Sequence, residues 1–401
     1  MRAPTDRRVR LIAGGLAVAA LAATAAYAVL LGPALRYWDE DIHLGIARNL
    51  ASAGVFGYRA MGSTAFEPPG YPFFVAAVVA VADHPVAVRL AQVALLGATA
   101  LLWARIAARV AGPGAGWTAA ALVLCYPPLA YGATALYPQT LAGFLIALVC
   151  AFAFGAGRGR LAGAGAALGA LALTAPPYAV VALPLADYLR RRGARWRALA
   201  GAAAVAAVVV GAWTLRNALV FDRFAPVATS GGSALLVGNA PAATAGSGSA
   251  VDVTEYELWA PETDEFANER YFTALALGRI AAEPAAAARH YLAKLAHWFL
   301  PASPDADGAG RGRTLVLWAG YAVLAGGAIL RLAGARRRPL AAEERCLLWA
   351  YLAVALAYAV FFTRLRFRLP VDPMLAVLAA AWLSRRWSAG AAPPPPPGRA
   401  G

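Results

Sequence analysis

RLIAGGLAVAALAATAAYAVLLGPALRYWDEDIHLGIARNLASAG, running from Arg10 to Gly54, carries the pattern that decides the fold. An uncharged run from Leu11 to Leu31 follows four arginines, Arg2, Arg7, Arg8 and Arg10, and three carboxylates, Asp39, Glu40 and Asp41, come soon after it. A run of this length crosses the roughly 30 Å hydrocarbon core of a bilayer and exceeds the apolar region of a secretory signal, so it reads as a first transmembrane helix.

The same signature recurs along the chain. Val86–Ala108, Trp117–Ala133, Pro138–Phe154, Leu161–Ala175, Pro176–Leu189, Ala198–Leu215, Thr314–Leu332, Cys346–Phe362 and Leu369–Leu383 bring the expected spans to ten. Pro176-Pro177 interrupts the weakest pair, a hairpin that needs neighbouring helices to satisfy its backbone. Phe73–Ala82 is too short to span and reads as an interfacial or re-entrant helix. Composition agrees: 61% of the 401 residues are hydrophobic and 14% charged, against about 45–50% and about 25% in soluble domains. A soluble enzyme, a disordered protein and a disulfide scaffold are thereby excluded. Cys125, Cys150 and Cys346 are scattered and form no CxxC pattern. The net charge of +15 does not point to nucleic acid, because arginine excess in a membrane protein gathers in cytoplasmic loops.

The expected architecture is an all-α polytopic membrane protein. Residues 1–32 form the cytoplasmic N-terminus and first span, 33–85 a first extracytoplasmic loop carrying the carboxylates, and 86–215 spans two to seven. A large extracytoplasmic loop at 216–313, three spans at 314–384 and a disordered proline-rich cytoplasmic tail at 385–401 complete it. Within the large loop, Glu262 to Phe299 reads as helical, with Glu283-Pro284 ending one helix and starting another. With the N-terminus inside, 21 of the 36 basic residues fall on the cytoplasmic side, while 17 of the 21 acidic residues fall outside. Basic residues set topology; acidic ones contribute little to it, so their skew calls for another explanation.

Four constellations could carry chemistry. Asp39, Glu40 and Asp41 stand at the membrane exit, where a carboxylate in reduced dielectric can serve as a base on a hydroxyl. Equally, Asp39 can be the N-cap of the following helix. Glu67 to Pro72, EPPGYP, is a stiff turn before the interfacial stretch, with Tyr71 at headgroup level. Arg364, Arg366 and Arg368 alternate on the side that disfavours arginine, and in an extended segment would converge on one lipid phosphate or pyrophosphate. Arg216-Asn217 and the glycines of TSGGSALLVGN lie where a span enters the large loop, without the lysine of a phosphate loop. His290 and His297 are separated by two helical turns, about 10 Å, which is too far for one zinc ion.

In this order the segments resemble the polytopic lipid-linked-sugar glycosyltransferases of the GT-C fold. The likeness is to bacterial members of family 39, related to the dolichyl-phosphate-mannose–protein mannosyltransferases and the lipid A aminoarabinose transferase. The family's DE pair is similar to Asp39-Glu40, its downstream tyrosine falls on His43, and the following Ala and Gly positions on Ala47 and Gly54. Its PPxYP element resembles Pro68, Pro69, Tyr71 and Pro72. The RN…TSGG…GN pattern resembles Arg216, Asn217, Thr229 to Gly232, Gly238 and Asn239, and RxRxP resembles Arg366, Arg368 and Pro370. An acidic position near the fourth helix is Gln139 here, and a large C-terminal soluble domain is lacking.

The resemblance implies a GT-C-like bundle of about ten transmembrane helices. It implies transfer of a sugar from a polyprenyl-phosphate donor to a hydroxyl of a protein, lipid or glycan acceptor, with inversion, at the outer face of a bacterial plasma membrane. Asp39 would be the general base and Glu40 its supporting carboxylate, with a divalent cation, magnesium or manganese, as the one cofactor left open. Arg216, Arg366 and Arg368 would hold the donor phosphate; His43, Glu67, Tyr71, Asn217 and Asn239 would bind substrate. Membrane lipids are the other partners, and no nucleic acid is. A transporter or flippase of lipid-linked sugars and a non-catalytic envelope-assembly protein are the competing classes.

Overall fold

Proline, glycine and apolar length divide the chain into helices, as the computed structural model shows over residues 4–58, 62–157, 159–246, 251–254, 264–300 and 311–389. The tail expected to be disordered lies, from residue 390 onward, outside these described residues.

Four helices are long and apolar enough to cross a membrane: α1 (Pro4–Leu30), α4 (Pro85–Ala111), α10 (Trp196–Phe221) and α14 (Arg311–Ala333). Between α1 and α4 lie α2 (Trp38–Ala53) and α3 (Gly70–Val79), the second being the expected short apolar helix with Pro72 tolerated in its first turn. The single span expected at Trp117–Ala133 is instead two helices, α5 (Pro113–Leu124) and α6 (Pro127–Ala133). Pro127-Pro128 lacks the amide hydrogens that would continue α5, so a new helix starts there. Then come α7 (Gln139–Phe154), α8 (Arg160–Thr174), a 3₁₀ turn at Pro176–Val181 and α9 (Ala182–Arg191). At 16 and 15 residues, α7 and α8 are about 24 and 22 Å long, shorter than a bilayer core. Among the described residues, the expected apolar segments thus comprise four helices of full spanning length beside shorter apolar ones.

The outer segment supplies α11 (Gly231–Asn239), α12 (Glu265–Ala282) and α13 (Pro284–Trp298), with Pro284 opening the last of these as its sequence requires. The chain ends in α15 (Ala342–Val360), one helical turn α16 (Leu365–Arg368), and α17 (Asp372–Ala389). Every residue from Met374 to Ala381 is buried, so α17 is the core of the bundle, with α4, α5 and α14 packed round it. Small residues permit that closeness: a Cβ on Gly327 would fall 2.5 Å from the Cβ of Ala379. At the periphery α10 packs on α8, where a Cβ on Gly165 would fall 2.2 Å from the carbonyl oxygen of Ala202.

Two polar joints fix the frame. Near the C-terminal end of α14, Arg331 donates from Nε to Glu344 Oε1 at 2.7 Å and from Nη2 to Oε2 at 2.8 Å, both side chains buried. At the other end Lys294, the sole lysine of the chain, reaches from α13 to the carbonyls of Gly238 (2.9 Å), Phe361 (2.8 Å) and Val360 (3.3 Å) and to Asn239 Oδ1 (3.0 Å). That joint ties α11 and α13 to the end of α15 and the segment leading into α16, where the expected arginine triplet begins.

Candidate active site

Helix α2 opens with a cap that aims its acidic residues differently from one another. Tyr37 is the N-cap, in extended conformation, and Glu40 reaches back to accept from the amides of Arg36 (2.5 Å) and Tyr37 (3.4 Å). Glu40 Oε1 also accepts from the Leu136 amide at 2.9 Å, and the side chain is fully buried. Glu40 is therefore a structural cap that joins α2 to the turn after α6, a correction to its expected place beside the reacting groups. Asp41 accepts from the Tyr58 hydroxyl at 2.5 Å. Asp39 is not the N-cap; its side chain is 45% exposed, in the positive first turn of α2, with Oδ2 accepting from Arg366 Nη1 at 3.3 Å.

Two cavities of about 640 Å³ each meet there. The polar cavity is lined by Asp39, His43, Glu67 and Tyr71 on one side and by Thr229, Glu265, Asn268 and Glu269 of the outer segment on the other. The second is largely apolar, walled by Pro127, Pro128, Val316, Leu317, Trp298 and Leu369, with Arg364, Arg366 and Arg368 at its edge. Tyr137, Gln139 and Arg366 line both. The Arg366 guanidinium lies 4.6 Å from the Tyr137 ring centroid, a stack that holds it at the junction.

The arginine triplet departs from expectation. Residues 365–368 form a helical turn rather than an extended strand, so the three side chains separate. Arg366 meets Asp39; Arg368 is buried, pairs with Asp372 through Nε at 3.1 Å, donates to the carbonyls of Trp298 (2.9 Å) and Leu300 (2.7 Å), and lies 3.6 Å from the Tyr321 ring centroid. Arg216 lines neither cavity; it donates to Thr64 O at 3.0 Å and stacks among Trp213, Phe221 and Phe56. Asn217 is buried and donates to Ala225 O at 3.0 Å, and Asn239 donates to Leu235 O (2.8 Å) and Val360 O (3.0 Å). These three expected ligands are joints of the outer loop, outside both cavities.

Electrostatics differ between the walls. Burial pushes the Glu67 carboxyl up from 4.5 to about 7, the negative Asp39 adding to it and Arg366 opposing. A protonated Glu67 places no second negative charge beside Asp39. Burial lowers His43 to about 4, with Asp39 opposing and Arg366 adding, so the ring is neutral; it meets Tyr71 edge-on at 5.0 Å. The Tyr71 hydroxyl donates to Gln92 Oε1 at 2.9 Å, which keeps the ring in the cavity wall. Glu265 accepts from Thr64 Oγ1 (2.6 Å) and the Ala65 amide (2.8 Å), and Glu269 from the Gly232 amide (2.6 Å), so the outer helix is tied down around the cavity.

One pH effect follows. Folded Glu67 keeps its proton where the unfolded chain has lost it, so its contribution to stability is complete below pH 4.5 and is lost as pH rises through about 7. Glu67→Gln is expected to abolish that fall, worth about 1–2 kcal/mol once the water reaching this half-buried carboxyl is allowed for. Thermal unfolding in detergent over that pH range checks it; parallel curves for the two proteins would contradict it.

Buried polar atoms without partners mark where ligands belong, since each left unmet costs about 1–3 kcal/mol. Eight of the twelve such atoms among the described residues sit on residues lining the two cavities. Around the polar cavity they are uncharged: His43 Nδ1, Thr229 Oγ1 and Asn268 Oδ1. Along the apolar cavity they are nitrogens: Arg368 Nη2, Trp298 Nε1 and His297 Nε2. At the junction stand one acceptor, Gln139 Oε1, and one donor, Arg366 Nε.

Solved structures similar to this chain include two of one protein. One is ArnT from Cupriavidus metallidurans bound to undecaprenyl phosphate, 16% identical, with a TM-score of 0.47 over 92% of this chain and 77% of that one. The other is the same protein in the apo state, 15% identical, with a TM-score of 0.43 over 94% and 77%. No protein-family model and no curated protein matches the chain.

Among the described residues no three His, Cys, Asp or Glu side chains converge on one point, and both Glu40 oxygens are bound to backbone amides. Residues absent from the sequence reading are Glu265, Asn268 and Glu269, a polar stripe at helical spacing on α12, and Trp298 and Thr363 in the apolar cavity, where His297, weighed in the sequence only as a metal ligand, joins them. The stripe was visible as an i, i+3, i+4 pattern; the second group was not, because it joins α13 to a turn more than sixty residues away in sequence.

Proposed function

We propose that the protein is a membrane glycosyltransferase that moves a sugar from a polyprenyl-phosphate donor to an acceptor hydroxyl, with Asp39 as general base. The observation that carries this reading is the sorting of partnerless buried atoms between two cavities that share Arg366. An apolar cavity edged by arginines suits a prenyl chain ending in phosphate. A cavity rich in uncharged polar atoms and carboxyls suits a polyhydroxylated substrate.

The acceptor hydroxyl enters the polar cavity and gives its proton to an Asp39 carboxylate oxygen. Its oxygen attacks the anomeric carbon from the side opposite the phosphate, so configuration inverts. The bond from that carbon to the phosphate oxygen breaks, its electron pair passing to the phosphate. Arg366, with Arg368 behind it, meets the charge that develops there. The skew of acidic residues to the outer loops supports an extracytoplasmic site in a plasma membrane.

Mass spectrometry of polyprenyl-phosphate sugars and surface glycoconjugates, in host cells with and without the gene, tests the reading. Loss should raise one donor lipid and remove one glycoconjugate; unchanged profiles of both would reject the transferase.

A further inference from the structure

The proposed mechanism leaves His297 unused, although it lines the apolar cavity beside Arg368. The Thr363 hydroxyl donates to Ala245 O at 2.7 Å, which leaves its oxygen to accept from His297 Nδ1 at 3.4 Å. A neutral ring held this way carries its proton on Nδ1 and leaves the Nε2 lone pair without a partner. Gly246 packs flat against that edge: a Cβ there would fall 2.3 Å from Nε2.

Among the described residues the charges around the ring are of one sign. Arg368 and Arg364 approach from the turn at α16, with Arg366 beyond them, and Lys294 lies one turn earlier on α13 itself. Among the described residues α14 contributes Gly312, Val316 and Leu317, and the far wall Tyr37, Tyr131 and Tyr137. No carboxylate lines the cavity among the described residues; Asp372 stands behind Arg368 and is engaged by it. Burial, then the Arg368 charge, hold His297 below its ordinary 6.5.

We propose, resting on the donor reading above, that His297 couples proton uptake to occupation of the apolar cavity by a phosphate monoester. The empty cavity keeps the imidazole neutral, and an arriving dianion draws one proton from solvent onto Nε2. No covalent bond changes. The coupling favours product over donor: the donor is a phosphodiester with one negative charge, whereas the released prenyl phosphate carries nearly two. The charge created by transfer thus finds a counter-charge in the cavity wall, and product release becomes easier as pH rises.

The test is calorimetric titration of the full-length protein in lipid nanodiscs at pH 7.5 with farnesyl phosphate and with its methyl diester. Buffers of different ionisation enthalpy give the protons exchanged. Wild type should take up close to one proton per monoester and markedly less with the diester, its monoester affinity weakening up to about tenfold per pH unit. His297→Gln should bind with little uptake. Binding without uptake by wild type overturns the coupling and leaves the donor reading standing, as does equal uptake by His297→Gln. Absence of monoester binding overturns both.

Discussion

Asp39→Asn lowers the transfer rate by roughly 10²–10⁴-fold, the span that a positioned general base contributes. The amide oxygen can still accept from Arg366, so the 3.3 Å contact and the start of α2 survive. Membrane abundance, unfolding temperature and prenyl phosphate binding should match wild type, because Tyr37 and Glu40, not Asp39, hold the helix end. In cells the donor lipid should accumulate as in the deletion. Asp41→Asn is the control: that residue is engaged by Tyr58, and its change should leave most activity. Restoration of the missing glycoconjugate by Asp39→Asn at wild-type rate would remove Asp39 from the mechanism and favour a transport or assembly role.

The largest loss of stability is expected at Asp372. It holds Arg368 and accepts from the hydroxyls of Tyr126 (2.9 Å) and Tyr351 (3.3 Å), all in the buried centre of the bundle. Asp372→Ala leaves a buried guanidinium without its counter-charge, and such removals cost about 3–5 kcal/mol. A fall in unfolding temperature in detergent reads this out. Replacing the pair together, Arg368→Met with Asp372→Leu, should recover much of the stability, since the unpaired charge is gone. Prenyl phosphate binding should stay weak in the double variant because the Arg368 nitrogens are missing. Recovery of both properties would show that Arg368 serves the bundle alone.

What the sequence disclosed depended on how local each cause is. Proline acts on its own backbone, so the breaks at Pro176 and Pro284 and the short helix before Pro85 could be read directly. The gathering of Asp39, His43, Glu67 and Tyr71 followed the order of short motifs and is found in one cavity. Partner choice was not legible. Glu40 is next to Asp39 in sequence, yet its oxygens are taken by amides, one of them 96 residues away. Asn217 and Asn239 have the chemistry of ligands but direct it to backbone carbonyls, of a loop and of helix ends respectively. The arginines of 364–368 alternate as a strand would, and a single helical turn sends them to different neighbours.

The Lys294 joint makes the chain a natural single-site reporter. Beyond its N-terminus the protein has one amine, and in the folded chain that amine is buried among four oxygen acceptors and shielded from reagents. Acylating probes therefore label this position only in molecules whose α11–α13 cover has lifted from the arginine turn. The labelling rate at Lys294 measures how often that joint parts, without any residue having to be introduced to observe it.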